Sequence, residues 1–148
     1  MRSGRDICKD NPRDFSNGRL GGTYLEYPSV EQVEHFMREV GYDERLAILS
    51  QGFRAGATYE YFYKIEKFAK SLLRRKANAP ALGIRELKRE EVVPWIQDVI
   101  GDRDLAQAID DVFEREERMS TIVDEIRIIT VLRMEQYDEV LSGFVDKY

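Results

Sequence analysis

The chain has 148 residues, 43% of them hydrophobic and 34% charged, with a formal net charge of −5 and a single cysteine, Cys8. That length fits one domain able to bury roughly two-thirds of the surface its unfolded form exposes, and the apolar content is too high for a disordered chain. One cysteine excludes an internal disulfide and any multi-cysteine metal site, and fits a reducing cytoplasm. No apolar run approaches the ~18 residues of a membrane span, and the charged start MRSGRDICKDNPRDF is unlike a signal peptide.

Residues 1–28 hold four glycines and two prolines without a period of 2 or 3.6, so they read as an extended arm with little structure of its own, anchored at its end by Tyr24, Leu25 and Tyr27. Ser29, with Gln32 three residues on, forms a capping box that opens an amphipathic helix through Val30, Val33, Phe36, Met37 and Val40, closed by a left-handed Gly41. Asp43 is expected to cap a second short helix lined by Leu46 and Leu49, before Gly52 and Gly56 interrupt it. Thr58 would cap a third, running to about Ala77 with Phe62, Ile65, Phe68, Ala69, Leu72 and Leu73 inward. Thr58 to Tyr63 also has strong strand propensity, but the helical period continuing to Leu73 favours helix.

Asn78, Pro80 and Gly83 make a loop between two oppositely charged stretches. Residues 1–88 carry 16 Lys and Arg against 12 Asp and Glu, whereas residues 89–148 carry 7 against 16. Within the helical domain, 29–148, this gives a basic half at 29–77 and an acidic half at 84–148. From Arg89 the run REEVVPWIQDVI predicts a helix kinked or restarted at Pro94, with Trp95 in the core. Gly101 ends it and Asp102 caps the next, which turns Leu105, Ile109, Val112 and Phe113 inward. Around Arg118 to Thr121 the pattern allows a turn with Ser120 as a new cap or an unbroken helix to Leu141; two antiparallel helices meeting near Met119 are preferred. Glu116 and Arg133 break the heptad seam, which argues against a regular coiled coil.

The fold class expected is therefore all-α, an irregular five- or six-helix bundle with an extended N-terminal arm. Its expected core includes Phe36, Leu49, Phe62, Ile65, Leu72, Trp95, Ile109, Val112, Ile126 and Ile129.

Chemistry-bearing motifs are scarce. His35 is the sole histidine, with Glu31 and Glu39 one turn away on either side, but a catalytic zinc usually takes three protein ligands and di-iron bundles need a second histidine. Ser-His and Cys-His pairs would both have to use His35. Glu90-Glu91 and Asp110-Asp111 read as solvated helix faces, and the segment from Gly52 to Gly56 lacks the spacing of a phosphate loop. No catalytic residue, metal site or cofactor is expected. The stretch DERLAILSQGFRAGATYEYFYK, Asp43 to Lys64, is similar to the helical oligomerisation region of large carbamoyl-phosphate synthase chains in its Asp-x-Arg start and glycine-bearing turn; none of the ATP-grasp machinery surrounds it, and no function is carried across.

Two features point to binding instead. Leu105, Ile109, Val112, Met119, Ile122, Ile126, Ile129, Tyr137 and Val140 form an apolar stripe longer than a small domain needs for its own core. Lys64, Lys67, Lys70, Arg74, Arg75 and Lys76 form a basic face near Tyr59, Tyr61 and Tyr63. The leading expectation is a non-catalytic accessory or regulatory subunit that binds a protein partner or forms a homo-oligomer. It would dock through Ile122, Ile126, Ile129 and Tyr137 and through the basic face. The alternative is a nucleic-acid or anionic-ligand module using Lys67, Lys70, Arg74, Arg75 and Tyr61, which an acidic pI near 5.1 disfavours. A small helical enzyme using His35 with Glu31 or Glu39 is a third option.

Overall fold

The computed structural model describes residues 25–51, 57–73, 83–84 and 86–143. Most of the described elements are helical, but a small antiparallel sheet sits among them, so the all-α expectation is corrected. Cys8, Tyr24, Gly52, Gly56, Arg74, Arg75, Lys76, Ala77, Asn78 and Pro80 lie outside the described residues.

Helix α1, Val30–Phe36, opens with the capping box: the Ser29 side chain accepts from the Gln32 amide, and the Gln32 side chain accepts from the Ser29 amide. It ends earlier than predicted. Gly41 has φ −78° and precedes a 3₁₀ turn, Tyr42–Glu44, so it is no left-handed stop, and Val40 enters the core from an extended segment.

The second predicted helix and the first part of the third give way to strands. β1, Leu46–Gln51, and β2, Ala57–Phe62, pair antiparallel with Leu46 opposite Phe62 and Gln51 opposite Ala57. β1 also pairs with β3, Gly83–Ile84, giving the order β2-β1-β3. Leu46 and Ile48 point inward at alternate positions, so the three-residue spacing of Leu46 and Leu49 is incidental and Leu49, expected in the core, is exposed. Thr58 to Tyr63 follows its strand propensity, and helix begins only at α2, Ile65–Leu73. Phe62 mimicked the helical period because its ring meets Phe68 of α2 edge-on at 5.9 Å across the same core. Leu73, expected inward, is exposed. The carbamoyl-phosphate synthase likeness over Asp43 to Lys64 fails with it, since that stretch contains strands where the resemblance implies helices.

α3, Arg89–Pro94, runs through its proline into a π-helical segment, Trp95–Ile100. The missing Pro94 amide neither restarts nor ends the helix; the winding widens instead. Gly101 stops it at φ +100°, where the Gly101 and Asp102 amides both donate to the Ile96 carbonyl and close the widened last turn. Asp102 then caps α4, Arg103–Arg115, accepting from the Leu105 amide. The chain turns at 116–118 and enters α5, Met119–Leu141, after Arg118, without Ser120 as a cap. Bonds between Asp102 and Arg133 and between Arg115 and Glu125 pair early with late positions, which makes α4 and α5 antiparallel.

α5, 23 residues long, packs against α1, α2 and α4. Its buried residues Ile122, Val123, Ile126, Ile129, Thr130, Arg133, Gln136, Tyr137 and Val140 share one face, an arc of about 140° at ~100° per residue, while Ile128, Glu135 and Asp138 are exposed on the far side. The long apolar stripe is thus covered by the chain's own helices and is no surplus. The stripe was read correctly as one face; what a linear pattern does not contain is which of the chain's own helices pack on it.

Candidate functional site

The structure scatters the residues that the sequence singles out. Ile122, Ile126, Ile129 and Tyr137 are buried in the core, out of reach of any partner. Lys67 and Lys70 are exposed on α2, and Lys70 pairs with Glu66 at 3.4 Å. Arg74 and Arg75 lie outside the described residues. Tyr61 is exposed on β2, but its neighbour Phe62 points to the opposite face and carries α2, so the sheet separates the Tyr61 ring from the helix that bears the lysines. His35 is exposed and touches Phe36 edge-on at 6.2 Å; among the described residues no three His, Cys, Asp or Glu side chains gather as a metal site.

What sequence reasoning missed is the outer face of the sheet. Strand alternation turns Ala47, Leu49, Tyr59 and Tyr61 to one side, with Leu49 opposite Tyr59 and Ala47 opposite Tyr61. Leu49, Tyr59 and Tyr61 are 41%, 60% and 48% exposed, and Tyr42 beside them is 67% exposed. The Arg45 guanidinium lies 3.7 Å from the centre of the Tyr42 ring and 4.5 Å from that of Tyr61, bridging the two by cation–π contact, while its Nη1 donates to the Tyr42 carbonyl at 2.8 Å. Rings held in this way lose little freedom when something binds over them. The recess beside Leu49, Tyr59 and Lys88 is only about 20 Å³, far below the ~300 Å³ of an ordinary small-molecule site. The face is shallow beside these side chains. The alternation in Ala57 to Phe62 was the available signal, lost once that stretch was assigned to a helix.

A second missed feature lies inside. Arg133 and Asp102, each 1% exposed, form a two-point ion pair: Nε donates to Oδ2 at 2.8 Å and Nη2 to Oδ1 at 2.9 Å. Tyr137 also donates to Asp102. Burial works against the Arg133 charge, but the bonds and attraction of Asp102 together outweigh it and hold its proton more tightly than usual. Burial and the Asp102 charge push Tyr137 far above the ordinary phenol range, so it stays a neutral donor. A polar cleft of about 250 Å³ opens beside this group, lined by Glu26, Tyr27, Gln32, Arg103 and Asp104 among others. The Asp102 oxygens accept from Leu105, Arg133 and Tyr137, so the carboxylate ties the start of α4 to α5. From the sequence, Asp102 was legible only as a cap and Arg133 only as a flaw in a heptad.

No family model, curated protein or solved structure matches the chain. Among the described residues no helix is long and apolar enough to cross a membrane.

Proposed function

We propose that this chain is a non-catalytic accessory or recognition module whose contact surface for a protein partner is the outer face of the β1–β2 hairpin. One observation carries the reading: Tyr42, Leu49, Tyr59 and Tyr61 stand exposed together around an arginine stacked on two of the rings. Tyrosine and arginine are the side chains most enriched at the centres of protein interfaces, because they add large contact area with few torsions to freeze. A fold leaving such rings in water without a partner gains nothing from them. The reducing cytoplasm suggested by a lone cysteine belongs to this reading.

The nucleic-acid reading has weaker support. Base stacking on Tyr59 and Tyr61 would need cations free to hold the phosphates; on that face Arg45 is stacked on two of the rings and Lys88 lies beside Glu86 and Glu91, while Lys67 and Lys70 sit on a helix packed against the other face.

The test is a paired substitution, Tyr59→Ser with Tyr61→Ser, in the full chain. The wild-type chain is expected to run in native mass measurements from its own cells as a complex of fixed stoichiometry with another polypeptide or a second copy, and the double variant as a monomer. The variant should still unfold cooperatively, with its stability lowered mainly by the lost Arg45 contact to Tyr61, about 1 kcal/mol or less. A wild-type chain that is strictly monomeric, or a complex that survives the substitution, overturns the proposal. Complex formation that vanishes on nuclease treatment assigns the face to nucleic acid instead.

A further inference from the structure

The segment Leu25 to Pro28 lies against α5 as an extended strap, and side chains of α5 hold it. Gln136 Nε2 donates to the Leu25 carbonyl at 2.8 Å, Arg133 Nη1 donates to the Glu26 carbonyl at 2.7 Å, and the Tyr27 hydroxyl donates to Glu139 at 2.6 Å. Leu25 itself is buried in the core. The two donors that read the strap's carbonyls are set in advance by groups outside the strap. Asp102 grips Arg133 through Nε and Nη2, which leaves Nη1 for the strap, and the same Nη1 donates to Gln136 Oε1 at 2.8 Å, turning the amide nitrogen toward Leu25. Donors held in this way by groups outside the strap are aimed in advance at carbonyls in that position.

We propose that this seat on α5 is a peptide-binding groove, filled by the chain's own residues 25–28, and that it accepts the same segment from a second copy once the intramolecular strap is loosened. The chemistry read is that of any extended segment offering two successive carbonyls and a leucine for the buried anchor. The second copy is the occupant of choice because its segment carries the one sequence whose fit to the seat is already on view. In the wild-type chain the tethered segment competes at the roughly millimolar effective concentration of a short linker, which suppresses exchange. Pro28 joins the strap directly to Ser29, the cap of α1, so exchange requires a change at that junction and leaves the helices in place.

The experiment uses the full chain and a fluorescein-labelled peptide of residues 21–29, with binding read by anisotropy. Leu25→Asp loosens the strap and is expected to bind the peptide at least ~10-fold more tightly than wild type, by removal of the tethered competitor. Adding Gln136→Ala to the loosened chain should abolish binding, since it removes the donor to the Leu25 carbonyl. Equal binding by wild type and Leu25→Asp, no binding by a folded Leu25→Asp chain, or binding that survives Gln136→Ala overturns the proposal. If Leu25→Asp fails to fold, Tyr27→Phe loosens the strap at its surface contact to Glu139 and must give the same ordering with a smaller ratio.

Discussion

Replacing Arg133 by methionine isolates the buried ion pair. Methionine keeps most of the side-chain length and helix propensity but has no donors, so four hydrogen bonds disappear: two to Asp102, one to the Glu26 carbonyl and one to Gln136. Asp102 keeps its bonds from the Leu105 amide and Tyr137, yet its charge loses its partner at a position 1% exposed. An uncompensated buried charge costs about 3–5 kcal/mol. Against a total stability of about 5–15 kcal/mol, this is about a fifth or more of what holds a typical domain. For a chain of this size it corresponds to a melting temperature lower by roughly 6–20 °C.

Urea unfolding followed by circular dichroism and by Trp95 fluorescence measures the loss. The double variant Arg133→Met with Asp102→Asn supplies the control, since asparagine still caps α4 and carries no charge to strand. It should recover a substantial part of the deficit, giving a coupling of about 1–3 kcal/mol in the double-mutant cycle. A single variant within about 1 kcal/mol of wild type, or a double variant with additive losses, would refute the account of Asp102 and Arg133 as a buried, mutually dependent pair.

Two further outcomes follow from the same core. Tyr137 has a folded pKa above its unfolded value near 10, so its contribution is fully present below about pH 10 and is lost as pH rises beyond that. Melting temperature measured from pH 8 to 11.5 should fall on the alkaline side, and Tyr137→Phe should flatten that fall while costing about 1–2 kcal/mol at neutral pH; an unchanged alkaline limb in the variant would exclude Tyr137 as its source. Ile126 is fully buried in α5 and Ile128, two residues on, is 39% exposed. Ile126→Ala should cost about 2–5 kcal/mol and Ile128→Ala under about 1 kcal/mol by urea titration, the reverse of what a helix docking through Ile126 would give.

Local signals were legible where one short stretch decides its own conformation. Ser29 with Gln32, and Gly101 followed by Asp102, specify a helix start, a helix stop and a second start with side-chain and backbone groups only a few residues apart. The hairpin was not legible in this way. Residues 46–62 carry both a strand alternation and a near-helical spacing of apolar residues, and the choice between them is made by pairing Leu46 with Phe62 and by closing Phe62 on Phe68, contacts a linear pattern does not contain. Assigning that stretch to helix carried the candidate site away with it, because Tyr59 and Tyr61 share a face only on a strand. α5 failed for a related reason: its apolar face was recognised, but whether that face is covered depends on where α1, α2 and α4 pack.

Arg133 ties these threads together. As a residue in a seam it weakens a heptad, whereas inside the fold it joins the α4 cap, the middle of α5 and the strap at Glu26. Satisfied apolar residues would hold α4 and α5 together at least as well, so stability alone does not account for a charge there. What methionine or leucine cannot do is point a donor at a peptide carbonyl. The interior polar group seats the extended segment at Glu26, and the exposed tyrosines are the part of the molecule that the proposed function assigns to a partner. These sites lie on different elements, α5 and the β1–β2 hairpin, so losing the hairpin face and losing the strap should be separable by mutation.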